Sequence, residues 1–236
     1  MKPVYFLLPA YNEEENLPAL FHAIAQAAHE YQIILINDGS TDTTGDIAHE
    51  HAKRMPVTVL NHEANQGLGA ALKTGISYIV GNGSDGSAVV TMDSDLTHDP
   101  ALVPDMVSEL SKGYDVVVRS RYVPGGQQLN LPFHRRILGR AINILLRLRG
   151  SSARDSTSGF RCISIEALRR SVEMFGDSFI TTVEFTSTAQ ILMRLQAAGA
   201  RIKELPVSLD YRRKMGLSKM NIPRTIRAYI RYLQQS

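Results

Sequence analysis

The stretch "SAVVTMDSDLTHDP", Ser87 to Pro100, runs a short apolar segment straight into three carboxylates, Asp93, Asp95 and Asp99. The apolar run reads as a buried strand, and "DSDLTHD" as the loop at its carboxyl end. Like charges crowded there repel one another and add little to folding, so the arrangement points to a positive partner. Asp93 and Asp95, one residue apart, can aim two carboxylates at one cation or at a bound diphosphate if the chain bends between them. Hard oxygen ligands suit Mg²⁺ or Mn²⁺, which keeps one or two protein carboxylates and takes phosphate oxygens for the rest. A calcium EF-hand loop does not fit, because its sixth position would be His98 and its twelfth Pro104. Asp99 before Pro100 reads as a helix cap with proline in the first turn.

Working outward, the first 120 residues alternate strand-like runs with helical patterns. The strands are "PVYFLLP", "QIILIND", "PVTVLNH", "SAVVTMD" and "YDVVVRS"; helices are expected near 16–29, 44–54, 67–80 and 100–112. This alternation predicts an α/β fold with a mostly parallel sheet flanked by helices. Ligands of such sheets sit at the carboxyl ends of strands. The polar clusters "YNEEEN", "NDGSTD", "NHEANQGLG" and "MDSDLTHDP" all fall there. Asp38, in the second cluster, is a candidate acceptor for a ribose or base edge. "NQGLGAALKTG" fails as a dinucleotide fingerprint, since Leu72 stands where the third glycine belongs.

The alternation fades after residue 120. "VPGGQQLNLP" (123–132) reads as a flexible loop, followed by a basic helix over 133–149 and helical patterns at 164–171 and 182–198. A strand-like "ARIKELPVSLDY" and a final helix in "NIPRTIRAYIRYLQQS" complete the chain, with no break that marks a second domain. Two acid-free segments, 119–154 and everything after Asp210, hold 15 of the 26 bases and none of the 23 acids. So polarised a distribution predicts an anionic partner on one side. In the basic helix Arg136, Arg140, Asn143 and Arg147 form a polar stripe beside Ile137, Ala141, Ile144 and Leu148. The last helix repeats that pattern, and both read as helices lying in a membrane interface. Two core-packing helices with solvated arginines are the alternative. Trp is absent and no aromatic stacking motif accompanies the bases, so nucleic acid is a poor partner. A lone Cys162 excludes an internal disulfide, and no apolar stretch reaches the roughly 18 residues of a spanning helix. The expectation is a cytoplasmic protein, soluble or peripheral at a membrane. The seven histidines show no ligand spacing and read as surface residues.

"LPAYNEEENL", "INDGSTDTT", "NQGLGAALKTG", "MDSDLTHDP", "VVVRSRYVPGG", "HRRILGRAINILLRL", "DSTSGFR" and "ELPVSLDYRRKMGLSKMN" cover nearly the whole chain. Together they resemble the family 2 glycosyltransferases, most closely the dolichol-phosphate mannosyltransferase-like branch that glycosylates polyprenyl phosphates. The resemblance implies one GT-A domain, with a nucleotide-sugar-binding half over 1–120 and an acceptor and membrane-interface half over 121–236. It implies that Pro9, Tyr11, Glu13 and Asp38 hold the nucleotide, that Gly69, Ala70 and Lys73 line its pocket, and that Asp93 and Asp95 hold Mg²⁺ or Mn²⁺ and the diphosphate. Arg121, Arg135 and Arg213 match positions facing the lipid phosphate or the donor diphosphate, and Ser218 and Lys219 belong to the same terminal motif. Thr97 stands where many relatives carry glutamine or serine, and Gly139 where a serine is frequent. The implied reaction is metal-dependent, inverting hexose transfer to a polyprenyl or dolichyl phosphate, with GDP-mannose the first donor. UDP-glucose or UDP-N-acetylglucosamine, or a hydroxyl acceptor, is the alternative. An acceptor hydroxyl needs a general base, and the Glu-Asp pair usual in such relatives is missing between 155 and 200, where Glu184 stands alone.

Overall fold

The computed structural model describes residues 3–182, 184–212 and 222–235. Four βα units and a fifth strand open the chain: β1 (Val4–Ala10), α1 (Leu17–Ala27), β2 (Tyr31–Asp38), α2 (Thr44–Ala52), β3 (Val57–His62), α3 (Leu68–Asn82), β4 (Ala88–Thr91), a 3₁₀ turn at Pro100–Leu102 leading into α4 (Val103–Ser111), and β5 (Val116–Ser120). Then follow β6 (Gln127–Leu129), α5 (Phe133–Leu148), β7 (Arg161–Ser164), α6 (Ile165–Phe175), α7 (Thr186–Ala197), β8 (Ile202–Pro206), β9 (Ser208–Asp210) and α8 (Ile222–Gln235).

Seven strands form one sheet in the order β3-β2-β1-β4-β7-β5-β8, parallel except for β7. Side chains on a strand alternate between faces, and the two cores follow that alternation. Phe6, Leu8, Ile33 and Leu35 pack with Leu17, Phe21, Ile24 and Met106 on one face. Leu7, Ile34 and Ile36 pack with Leu72, Ile76, Ile79, Leu168 and Leu192 on the other. The chain leaves β1 toward β2 and β3 and then crosses to β4 on the opposite side of β1. That reversal opens a crevice at the carboxyl ends of β1 and β4, the usual ligand position in such sheets.

Several expectations for the second half need correction. "RCIS" is strand β7, inserted antiparallel between β4 and β5. Four residues leading directly into a helix carry too little alternation to read as a strand. The expected loop 123–132 contains β6, which pairs with β9 in a separate two-stranded ribbon. The expected strand over 200–211 therefore splits, β8 joining the main sheet and β9 the ribbon. The pattern over 182–198 becomes helical only at Thr186, and α6 runs on to Phe175.

Gly39 closes the turn after β2 with φ +67°, and a Cβ there would lie 2.3 Å from the carbonyl carbon of Ala64. The loops after β2 and β3 thus touch backbone to backbone, which only glycine permits. Gly39→Ala is expected to lower unfolding free energy by about 2 kcal/mol or more in urea titrations, through a left-handed φ and a clash that no side-chain rotation relieves.

Candidate active site

Loops at the carboxyl ends of β1, β3 and β4, with Asp38 at the end of β2, line one cleft of about 710 Å³, which α5 and residues 157–159 also border. In the first loop, Asn12 takes a left-handed φ of 53°. Its side chain accepts from the Thr41 amide at 2.8 Å, which ties this loop to the one after β2. Glu13 is buried; its amide donates to Thr44 Oγ1 at 2.7 Å and its carboxylate accepts from Asn16 Nδ2 at 2.7 Å. Pro9, Tyr11, Glu13 and Asp38 all border the cleft. Asp38 also has a local task. Its Oδ1 meets His62 Nδ1 at 2.6 Å and the Gln66 amide at 3.0 Å, while Oδ2 accepts from the Gly67 amide at 2.9 Å. It therefore holds the loop after β3 in place, in addition to facing the cleft.

The residues of that third loop which border the cleft are Asn65, Gln66, Gly67, Leu68 and Ala71. Gly69, Ala70 and Lys73, expected there, are not among them. Gly69 is buried inside α3, and the Lys73 ammonium points away to Asp177 at 3.0 Å. The helix begins at Leu68, so the cleft-facing surface is set one residue away from the expected one.

After β4 the chain turns sharply. Leu96 holds φ +62°, an uncommon conformation for a residue with a branched side chain. The Ser94 hydroxyl donates to the Pro9 carbonyl at 2.8 Å, fastening this loop to the end of β1. Asp95 is buried, and its Oδ1 accepts from both the amide and the hydroxyl of Thr97, at 3.2 and 2.6 Å. The Asp93 carboxylate is half-exposed, and both acids border the cleft. Asp99 caps the following turn through the Ala101 amide, as its sequence context predicts. Two carboxylates at the rim of a cleft large enough for a sugar nucleotide fit Mg²⁺ or Mn²⁺, with phosphate oxygens completing the shell. Among the described residues there is no group of three or more His, Cys, Asp or Glu side chains that could hold a metal alone. Thr97, which stands where many relatives carry glutamine or serine, braces Asp95.

Arg121 and Arg135 line the same cleft. Arg121 is paired with Asp155, a residue the motif "DSTSGF" contains but to which spacing assigns no role. Nε and Nη2 of Arg121 each donate to the Asp155 carboxylate at 2.7 Å, its amide donates at 2.9 Å, and Nη2 also reaches Thr157. Burial alone would lower the Arg121 pKa, but the charge and hydrogen bonds of Asp155 outweigh it and hold the guanidinium well above its ordinary value. Burial would raise the Asp155 pKa, and Arg121 reverses this, so the carboxyl titrates below its usual range. The pair lies 34 residues apart in sequence, which no local pattern reveals. Below it Arg161 is fully buried and donates to the carbonyls of Ser156 and Thr188, and burial lowers its pKa to about 10. Arg213, Ser218 and Lys219 lie outside the described residues.

Two further expectations change. His98 is buried and the His62 side chain nearly so, hence neither is a surface residue. Asn143, placed in the polar stripe of α5, turns inward, accepting from the Ser156 amide at 2.7 Å and donating to Thr157 Oγ1 at 2.9 Å. The inner face of α5 packs Ile142 and Leu146 against Ala189 of α7 and Tyr229 of α8. Its outer face exposes Phe133, Ile137, Ile144 and Leu148, by 52 to 78%, beside the exposed Arg140 and Arg147. On α8, Ile226 and Ile230 are exposed likewise. Not every base of the acid-free segments faces solvent: Arg119 is buried and donates to the Leu102 and Pro206 carbonyls.

Residues 5–174 match the family described as Glycosyl transferase family 2. The chain belongs to that family. Among its relatives, this family 2 member is 32% identical to the polyprenol monophosphomannose synthase of Mycolicibacterium smegmatis, over 91% of the chain and 80% of that protein. It is 32% identical to the undecaprenyl-phosphate mannosyltransferase of Micrococcus luteus, over 92% and 87%. With the dolichol-phosphate mannosyltransferase of Pyrococcus furiosus it shares 30% identity over 98% of its own length and 62% of that longer protein. The glucosyl-3-phosphoglycerate synthase of Mycobacterium tuberculosis, crystallised with Mn²⁺ and UDP, superposes with a TM-score of 0.66 at 20% identity, over 97% and 76% of the two chains. That likeness establishes the GT-A fold.

Asp155→Asn is expected to lower unfolding free energy by about 3–5 kcal/mol at neutral pH, because it leaves the Arg121 charge buried without a counter-charge. Asp155 has a depressed folded-state pKa, so its contribution is complete above about pH 4 and disappears as pH falls through that lower value. Denaturant titrations across pH 2–7 should show wild type and variant converging in acid.

Proposed function

We propose that this glycosyltransferase transfers mannose, with inversion, from GDP-mannose to the phosphate of a polyprenol at a membrane surface. One observation carries the reading: a single cleft is lined by the carboxylates Asp93 and Asp95 and by the guanidinium residues Arg121 and Arg135. The three relatives named as polyprenyl-phosphate mannosyltransferases support the choice of sugar and acceptor. A lipid phosphate is already ionised near neutral pH, so its oxygen can attack the sugar without a base. Catalysis is then chiefly positioning and charge neutralisation between two anions. Pro9, Tyr11, Glu13 and Asp38 would seat the nucleotide. Asp93 and Asp95 would hold Mg²⁺ or Mn²⁺, which neutralises the departing diphosphate when bound. Arg135, with the remaining donor capacity of Arg121, would receive the acceptor phosphate, with Arg213 and Lys219 assigned to the same task by motif alone.

No helix among the described residues is long and apolar enough to cross a membrane. The outer face of α5 nevertheless suits an anionic bilayer, with a stripe of large apolar side chains flanked by arginines. That face would bring the lipid's phosphate to the α5 wall of the cleft. Glu184 also borders the cleft, which keeps a hydroxyl acceptor as a second reading.

The test is a screen of labelled GDP-mannose, UDP-glucose and UDP-N-acetylglucosamine against polyprenyl phosphate in liposomes, with and without Mg²⁺ or Mn²⁺. A solvent-extractable mannolipid formed only with metal is expected; a water-soluble product from a hydroxyl acceptor would overturn the reading. Asp95→Asn should lower kcat by at least about 100-fold. Arg140→Ala with Arg147→Ala should weaken binding to anionic vesicles about 30-fold, at roughly 1 kcal/mol per base near such a surface.

A further inference from the structure

His98 is the one histidine in direct contact with the acidic turn, and its surroundings fix its chemistry. Its Nδ1 lies 3.0 Å from the Asp93 amide nitrogen. An amide N–H can only donate, so Nδ1 must accept, and the neutral ring carries its proton on Nε2. Nε2 lies 3.9 Å from Asp93 Oδ2, beyond direct hydrogen-bonding distance but near enough for its N–H dipole to act on the carboxylate. The ring is 4% exposed and lies nearly flat against Phe160, with centroids 4.9 Å apart and planes 17° from parallel. Phe160 belongs to the segment that crosses this turn. Next to it, Gly159 passes so close that a Cβ would sit 3.3 Å from Asp93 Oδ1 and 3.8 Å from His98 Cε1. The Thr91 hydroxyl holds the Gly159 carbonyl at 2.7 Å, fastening that segment to the end of β4.

We infer that His98 is a positioning residue for Asp93: the ring accepts from its backbone, faces its carboxylate with a proton, and so preselects the orientation in which the carboxylate receives a divalent cation. This rests on the proposed metal site. His98 does not bind the metal itself in this arrangement. Its one available lone pair is committed to the Asp93 amide, and its other nitrogen bears hydrogen. Packing against Phe160 fixes the ring plane, so the restraint passes from the apolar interior to an exposed carboxylate. Residues that orient a metal ligand in this way typically change metal affinity 10–100-fold when removed.

The experiment measures Mn²⁺ affinity by electron paramagnetic resonance on the whole chain with saturating GDP, beside GDP affinity in EDTA. His98→Ala should raise the Mn²⁺ Kd about 10–100-fold while leaving metal-free GDP binding unchanged, and excess Mn²⁺ should recover most of kcat. His98→Asn, whose side-chain oxygen can still accept from the Asp93 amide, should recover part of the lost affinity and serves as the readout if the alanine variant does not fold. Equal Mn²⁺ affinity in wild type and either folded variant, or parallel losses of Mn²⁺ and metal-free GDP binding, would overturn the inference. Wild-type protein that binds no Mn²⁺ at all would overturn the metal site and this role of His98 with it.

Discussion

Mutual repulsion between Asp93 and Asp95, held at one rim of a cleft, is the constraint around which the site is organised. Carboxylates one residue apart favour a bend only if something fastens it. Here the Ser94 hydroxyl ties the loop to β1, Thr97 grips Asp95, and His98 holds the Asp93 backbone. The left-handed φ of Leu96 is the local strain that results. Such an arrangement contributes little to stability by itself. Under the proposed function it would become favourable when a divalent cation and a diphosphate enter between the loops.

Arg121, which lines the same cleft, meets a complementary problem. A bare guanidinium in a half-closed cleft would be costly to desolvate. Arg121 is instead neutralised from below by Asp155 and oriented by two parallel hydrogen bonds, a geometry that suits planar recognition of an anion. The segment carrying Asp155 continues through Gly159 and Phe160, which pass over Asp93 and His98. A single six-residue stretch therefore braces both Arg121 and the acidic turn. This explains why the chain places a fully buried Arg161 at its end: the guanidinium ties the Ser156 carbonyl to the start of α7 and so holds the stretch down.

Much of this was legible in the sequence. The strand–helix alternation of the first 120 residues reflects burial on both faces of a parallel sheet, and it located the loops that border the cleft because those loops must follow strands. The acidic pair stood out because the fold has no use for it. What remained hidden was non-local. Asp155 and Arg121 meet only because β7 enters the sheet antiparallel between β4 and β5, and four residues cannot announce such a strand. His98 looked like a loop histidine, since its burial depends on Phe160, 62 positions away. The α5 face was read correctly as amphipathic, yet Asn143 turned inward because the Ser156 amide needed an acceptor. Pattern at the 3.6-residue period reports which residues share a face and leaves open which neighbour that face meets.

Location of the bound metal decides between this account and its rivals most directly. Anomalous scattering from Mn²⁺ in crystals grown with GDP should give one strong peak within coordination distance of the Asp93 and Asp95 carboxylates, bridged by diphosphate oxygens. A peak elsewhere in the cleft, or a diphosphate seated away from residues 93–95, would contradict it.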